Sequence, residues 1–387
     1  MSKRLFIISS AVLILGIILV SSFWFAHTQK ETVATTQRET FNQTSNGIKT
    51  SSDQSEFSFG VQGDSHPERE GKMFNSELYT INLQNVAKAN PSFYFLMGDD
   101  FSIEKEIESG NITQESVDRV YLLQKEYLDK LTMPIYLVNG NHEQEAKYLL
   151  DGTNNNPAIL ARNAREKYFT SPGTETGYYS FTHGNALFVV IDFYWHSNTA
   201  VDNTAGADKA TDKKNKNMWD ITLGDEQYKW FKETLENSTA KYKFVFAHHV
   251  LGTGRGGIEE AKLYEWGGYN SKGVWEFDKM RSNWEMPIHQ LMAKNEVTIF
   301  FQGHDHLFVR QELDGVIYQE VPNPADNTYT AFNRDAYKSG DIFPNSGFLN
   351  VSVSADQVKV DYVKAVLPND ELSQNKNGDI EFSYIVK

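Results

Sequence analysis

The stretch FFQGHDHLFV (residues 300–309) ends an apolar run with two histidines two residues apart. In an extended backbone, side chains at i and i+2 point to the same side. His304 and His306 are therefore expected to face one object together, with Asp305 turned aside. Taken alone, the stretch also fits a polar turn whose histidines are satisfied by hydrogen bonds. Its meaning depends on whether other residues of metal-ligand type can join the pair.

Four further apolar runs end in a similar way. FSFGVQG (57–63) leads into Asp64-Ser65-His66, and SFYFLMG (92–98) leads into Asp99-Asp100. PIYLVNG (134–140) is followed by Asn141-His142-Glu143, and KFVFAH (243–248) ends in His248 with His249 next. Each run is short, apolar and bounded by turn-type residues, which predicts strands. Between them lie helix-like stretches at roughly 73–89, 113–131, 157–168, 225–236 and 285–294; the second opens with Thr113 and Glu115, a capped start. Residues 177–195 read as a hairpin turning at His183-Gly184-Asn185, and residues 348–363 as a second around Ala355-Asp356. Alternating strands and helices with added hairpins predict a layered α/β domain with mixed sheets. Ligands gather at the carboxyl ends of strands in such folds, so the five polar clusters are expected to converge.

The ordered set Asp-x-His, Gly-Asp, Gly-Asn-His-Glu, His and Gly-His-x-His, each after an apolar strand, resembles the calcineurin-like metallophosphoesterase family. The resemblance covers roughly residues 57–363, including Tyr178-Tyr179-Ser180-Phe181 and the Gly184-Asn185 turn. It implies a four-layer α-β-β-α sandwich of two mixed sheets flanked by helices. It also implies a centre of two divalent ions, for which carboxylate, imidazole and amide donors suit Mn, Fe, Zn, Co or Ni. Carried over position by position, Asp64, His66 and His306 hold the first ion, Asn141, His248 and His304 the second, and Asp99 bridges them. The resemblance implies that His142 is the catalytic residue, contacting the phosphate or protonating the leaving oxygen. The implied activity is hydrolysis of phosphate mono- or diesters by metal-bound hydroxide.

The chain departs from two branches of that family. Ser102 stands where purple acid phosphatases carry a tyrosine ligand, so no tyrosinate-to-iron colour is expected, and those enzymes lack the histidine found at position 66. The sequence Asp99-Asp100-Phe101-Ser102-Ile103 lacks the Asp-Arg pair of the protein Ser/Thr phosphatases. The carboxylate that orients His142 is therefore not at its familiar place, leaving Asp100 and Glu143 as candidates. Among the remaining histidines, His249 is read as supporting the site, His183 and His196 as surface positions, and His289 as structural. The polar segment 198–217, with its Lys213–Lys216 patch, reads as a solvated loop. The segment 253–283 is a candidate pocket wall, with Arg255 reaching an anionic substrate.

Composition sets the remaining bounds. The 387 residues are 40% hydrophobic and 13% aromatic, enough for a sizeable core, and the formal net charge of −14 argues against nucleic acid as a partner. The absence of cysteine excludes disulfides, zinc–thiolate sites and thiol catalysis. After Lys3 and Arg4, residues 5–26 carry no charge. As a helix they would span about 33 Å, a bilayer's hydrocarbon thickness. Residues 1–26 are thus expected to be an uncleaved signal anchor, with a secreted form if cleavage occurs, and the positive flank places the rest outside the cytoplasm. Residues 27–55 are a polar, flexible linker and residues 56–387 one catalytic domain. The expectation is a single-pass membrane protein with a phosphoester substrate and protein partners unspecified. The rival readings are a non-catalytic metal-binding surface protein that kept the fold, and a nuclease, which the acidic balance weakens.

Overall fold

A computed structural model describes residues 56–144, 157–173, 176–192, 194, 218–250 and 255–386. The expected anchor and linker, His196 and the Lys213–Lys216 patch lie outside the described residues. Among the described residues no helix is long and apolar enough to cross a membrane. Asp53–Lys387 form one compact unit.

The first half alternates as the apolar runs predict. β1 (Phe57–Gln62), α1 (Ser76–Ala89), β2 (Tyr94–Leu96), α2 (Glu104–Glu108), α3 (Gln114–Leu128), β3 (Ile135–Leu137), α4 (Asn141–Gln144) and α5 (Pro157–Tyr168) follow in order. Next come the hairpin β4 (Tyr179–His183) and β5 (Ala186–Val190), then α6 (Gly224–Glu236) and β6 (Tyr242–Phe246). Two short helices, α7 (Tyr264–Gly267) and α8 (Phe277–Met280), precede α9 (Ile288–Lys294) and β7 (Ile299–Gln302). The chain ends in strands: β8 (Phe308–Leu313), β9 (Val316–Glu320), β10 (Asp341–Phe343), β11 (Gly347–Val353), β12 (Val358–Lys364) and β13 (Ile380–Val386).

The helix starts are chemically specified. Asn75 Oδ1 accepts the Leu78 N–H at 2.9 Å to cap α1. Thr113 and Ser116 cap α3 reciprocally: each side-chain oxygen accepts from the other's backbone N–H.

The strands form two mixed sheets, ordered β13-β12-β11-β1-β2-β3 and β10-β8-β9-β7-β6-β5-β4. β1, β2 and β3 are parallel to one another, as are β5, β6, β7 and β9. The inner faces meet in an aromatic core that includes Phe59, Phe95, Phe188, Phe246 and Phe301. Leu83 and Val86 of α1 and Val117 and Tyr121 of α3 pack with Tyr94, Leu96 and Leu137 on the outer face of the first sheet. On the second sheet, Phe231 and Leu235 of α6 and Leu291 of α9 pack with Val189, Val245 and Phe300. Successive strand residues thus enter different cores, which is why these strands read as continuous apolar runs.

His183 departs from the expected surface position. It is partly buried, with its ring centroid 4.6 Å from Phe57 and 5.2 Å from Phe93. Its strand belongs to the second sheet and those phenylalanines pack with the first, so only sheet packing brings them together. His289 is structural, between the Tyr318 hydroxyl at 2.9 Å and Asp314 Oδ2 at 3.0 Å.

Candidate metal centre

The loops that leave β1, β2, β3, β6 and β7 at their carboxyl ends carry Asp64 and His66, Asp99, Asn141 and His142, His248, and His304 and His306. All of these side chains are buried. Two glycines allow the loops to pack closely. Gly98 has φ +97°, and a Cβ there would lie 2.4 Å from Gly140 N; a Cβ on Gly140 would lie 2.2 Å from Asp99 Oδ1.

Donor atoms of Asp64, His66 and His306 lie within 4.8 Å of one another, as do those of Asp99, His248 and His304. A third such set, His66, Asp99 and His142, overlaps both. Asp99 Oδ2 is central: it is 3.1 Å from His248 Nε2, 3.8 Å from His66 Nε2 and 3.9 Å from His142 Nε2. Asp64 Oδ1 is 3.6 Å from both His306 Nε2 and His248 Nε2.

His304 and His306 face the cluster by a different route from the one strand alternation predicts. β7 stops at Gln302, and the two histidines have φ of +78° and +63°. Left-handed backbone aims each ring separately, His304 beside His248 and His249 and His306 beside His66. The loop is held by its own backbone, since the His304 N–H donates to Asp64 Oδ1 and Oδ2 at 3.1 and 2.8 Å.

Hydrogen bonds fix which nitrogen of two rings looks inward. His66 Nδ1 is 3.1 Å from Glu68 Oε1, and His248 Nδ1 is 2.8 Å from the Met97 carbonyl oxygen. Each bond leaves Nε2 toward Asp99, the arrangement in which an outer carboxylate or carbonyl orients a metal-binding imidazole.

The residues fit divalent cations on two observations. Both side-chain polar atoms of Asn141 are buried without a hydrogen-bond partner, and the inward Nε2 of His248 faces the Asp99 and Asp64 carboxylates. Buried polar atoms are normally satisfied, so an unpartnered amide beside these carboxylates and imidazoles fits a ligand role. The second observation is electrostatic. Burial lowers the pKa of His248, but Asp99 and Asp64 outweigh it and lift it to about 10, so the carboxylates demand positive charge between them. Burial, reinforced by Arg69, pushes His66 well down, and burial with His249 does the same to His304. Neutral imidazoles have the lone pair that ligation requires.

His142 lies at the rim of this cluster. Neither carboxylate expected to orient it does so. Glu143 instead accepts from the backbone N–H groups of Asp99, Asp100, Phe101 and Gly140 at 2.9, 2.7, 3.0 and 2.6 Å. Asp100 Oδ1 accepts from Gln62, Ser65 and Gln124. Ser102 Oγ and Glu104 Oε2 are the groups near His142 Nδ1, at 3.4 and 3.7 Å. The motif gave no sign of Glu104, which lies five residues beyond Asp99 on α2.

Arg255 also departs from its expected role. Its Nη1 donates to the His304 carbonyl oxygen and, at 2.9 Å, to Asp305 Oδ1. Asp305 Oδ2 takes the Gly256 N–H at 2.9 Å and the Tyr337 hydroxyl at 2.6 Å, and Asn333 Nδ2 donates to the Asp305 carbonyl oxygen at 2.9 Å. Asp305 is turned aside, as the sequence suggests, and ties the ligand loop to segments 255–256 and 333–337. His249 packs against His304 with ring centroids 4.8 Å apart and is held neutral near a pKa of 3 by burial and by His248.

A family model described as calcineurin-like phosphoesterase matches residues 57–308, well over half of the chain. No curated protein matches the sequence. Among solved structures, PhoD is 16% identical with a TM-score of 0.55, covering 85% of this chain and 69% of its own. A purple acid phosphatase from yellow lupin (Lupinus luteus) seeds is 16% identical with a TM-score of 0.49, covering 86% of this chain. The chain spans only 53% of that lupin enzyme, about half its length. PhoD shows the shared fold, and the family model spans the loops that carry the clustered aspartates and histidines. The chain belongs to the calcineurin-like phosphoesterases, a family of metal-dependent phosphoester hydrolases.

Proposed function

We propose that this protein is a membrane-anchored, extracytoplasmic phosphoesterase that hydrolyses phosphate mono- or diesters with two divalent ions. The single observation that carries the reading is Asp99 Oδ2, which stands within 4 Å of imidazole nitrogens belonging to both ligand sets. Asp64, His66 and His306 would hold one ion, and Asn141, His248 and His304 the other, with Asp99 shared. Bound there, such ions would supply Lewis acidity for phosphoryl oxygens and lower the pKa of water at the site.

The chain's own residues do the rest. Glu143 fixes the backbone that presents Asp99, and the backbone N–H of His142 donates to Asp99 Oδ1 at 2.9 Å, so the shared carboxylate is held through both its main chain and its side chain. His142 Nε2 is the group placed to deliver a proton to the leaving oxygen as water's oxygen bonds to phosphorus, giving an alcohol and a phosphate. Burial of every ligand keeps competing water away and strengthens each electrostatic contact.

The test is hydrolysis of p-nitrophenyl phosphate and bis(p-nitrophenyl) phosphate by the full chain loaded with Mn, with metal content measured by mass spectrometry. Turnover of either ester supports the reading. Metal-loaded protein inactive on both, and on a wider panel, is the result expected of a non-catalytic metal-binding surface protein. The uncharged segment 5–26 behind Lys3 and Arg4 supports the anchor. Protease digestion of intact cells that leaves residues 56–387 untouched, or recovery of the full chain in the soluble fraction, would overturn that placement.

A further inference from the structure

Arg69 ends a one-turn 3-10 helix, Pro67–Arg69, that follows His66 directly. Its Nε is 3.2 Å from Glu68 Oε1, its Nη2 donates to Glu104 Oε2 at 3.2 Å, and Nη2 also meets His142 Nε2 at 3.3 Å. The side chain is 23% exposed, so it approaches the buried cluster from the protein surface. Arg255, by contrast, is tied to Asp305 and to the His304 carbonyl oxygen.

The contact between Arg69 and His142 has a chemical consequence. A guanidinium offers donors only and stays protonated. His142 Nε2 must therefore accept from Arg69, which leaves the ring proton on Nδ1, toward Ser102 and Glu104. While Nε2 accepts from arginine, it cannot hand a proton to a leaving oxygen. Nε2 also points inward, 3.9 Å from Asp99 Oδ2, so it is the nitrogen that a bound ester would meet. For Nε2 to take up a proton from solvent and pass it to the leaving oxygen, Arg69 needs another acceptor, and an incoming phosphoryl oxygen is an anion suited to a planar donor fork.

Ester chemistry then separates two substrate classes. A monoester dianion has three terminal oxygens, so beyond the two that a pair of cations would take up a third charged oxygen is left for a guanidinium. In a diester that third position carries a second alkoxy group and no such charge. We propose that Arg69 is a substrate-binding residue of this centre, passing from His142 to a phosphoryl oxygen of the bound ester and so favouring phosphate monoesters over diesters. The proposal rests on the phosphoesterase reading of the site. Glu68, with a side chain 10% exposed, anchors Nε, while Glu104, 42% exposed on the five-residue helix α2, is the partner more easily given up.

The experiment compares wild type, Arg69→Ala and Arg69→Lys as full chains loaded with Mn. Readouts are kcat/KM on p-nitrophenyl phosphate and on bis(p-nitrophenyl) phosphate, calorimetric binding of inorganic phosphate, and Mn content. In Arg69→Ala the monoester rate is expected to fall by about 10²–10³, the diester rate by less than about fivefold, with phosphate binding weakened at least about tenfold and Mn retained. Arg69→Lys, which keeps the charge but loses the fork, is expected to fall between and covers the case of an alanine variant that does not fold. Equal losses on both esters, or unchanged phosphate binding, overturn the proposal and leave Arg69 a positioning residue for Glu68 and His142. A wild type that binds Mn but turns over neither ester defeats the phosphoesterase reading itself; phosphate calorimetry then still decides whether Arg69 holds the anion.

Discussion

Glu143 holds Asp99 by its backbone: Glu143 Oε2 accepts the Asp99 N–H at 2.9 Å, although 44 residues separate the two. The same oxygen takes the Gly140 N–H at 2.6 Å, and Oε1 takes those of Asp100 and Phe101. One carboxylate thus satisfies four backbone donors from two loops and sets the distance between the loops that carry Asp99 and Asn141. Replacing it with Glu143→Gln turns an acceptor into a donor facing donors. The expected loss is about 2–3 kcal/mol of folding stability, together with weaker Mn binding. Urea denaturation and metal titration check this, and a variant that matches wild type in both would mean the loops are held elsewhere.

Asp99→Asn removes the charge that both histidine sets share. Activity on p-nitrophenyl phosphate is expected to drop at least about 10³-fold, because ions that would polarise the phosphate are expected to be lost with it. Mass spectrometry should find fewer than two Mn per chain. Retention of a full metal complement would show that Asp99 is not shared.

His142→Ala leaves Asp64, His66, Asn141, His248, His304 and His306 in place. Turnover is expected to slow by about 10²–10⁴, the range for loss of a positioned proton donor, with Mn content unchanged. Empty metal sites in this variant would move His142 from proton transfer to ligation.

Removing metal should weaken the fold. Asp64 and Asp99 are buried within one cluster, and cations that bind only the folded state stabilise it by about 2.7 kcal/mol at a hundredfold excess over Kd. The melting temperature is expected to fall in EDTA and to return with added Mn. An unchanged melting temperature would argue that these carboxylates never hold ions.

Phe95 of β2 and Phe246 of β6 stack across the two sheets with centroids 4.1 Å apart, and both are fully buried. Phe246→Ala is expected to lose about 3–5 kcal/mol, as for other large-to-small core changes. Because β6 leads into His248, metal affinity should fall as well. Equilibrium unfolding gives the first number and Mn titration the second.

The local features of the fold were legible because they are written in neighbouring residues. Apolar runs such as 92–98 and 297–303 announced strands, and Gly63, Gly98, Gly140 and Gly303 marked where each chain turns. The turn at Gly184 between β4 and β5 followed from the same chemistry. The ordered aspartates and histidines at the strand ends named the side chains that the structure gathers, because parallel strands deliver their carboxyl ends to a common edge. Later strands were less visible: β13 carries Glu381 and Ser383 amid its apolar residues and pairs with β12 across a bulge.

The sequence by itself determined which residue types stand at each strand end, since hydrophobic periodicity and turn chemistry act over a few residues. Only tertiary structure decided their partners. It gave Glu143 to the Asp99 backbone, Asp305 to Arg255 and Tyr337, Ser102 and Glu104 to His142, and left-handed backbone to His304 and His306. The physical reason is separation along the chain. The His304 N–H meets Asp64 across 240 residues, and Tyr337 reaches Asp305 across 32. No local pattern encodes such a bond; it exists only once two sheets, packed through their phenylalanines, have fixed where every loop emerges.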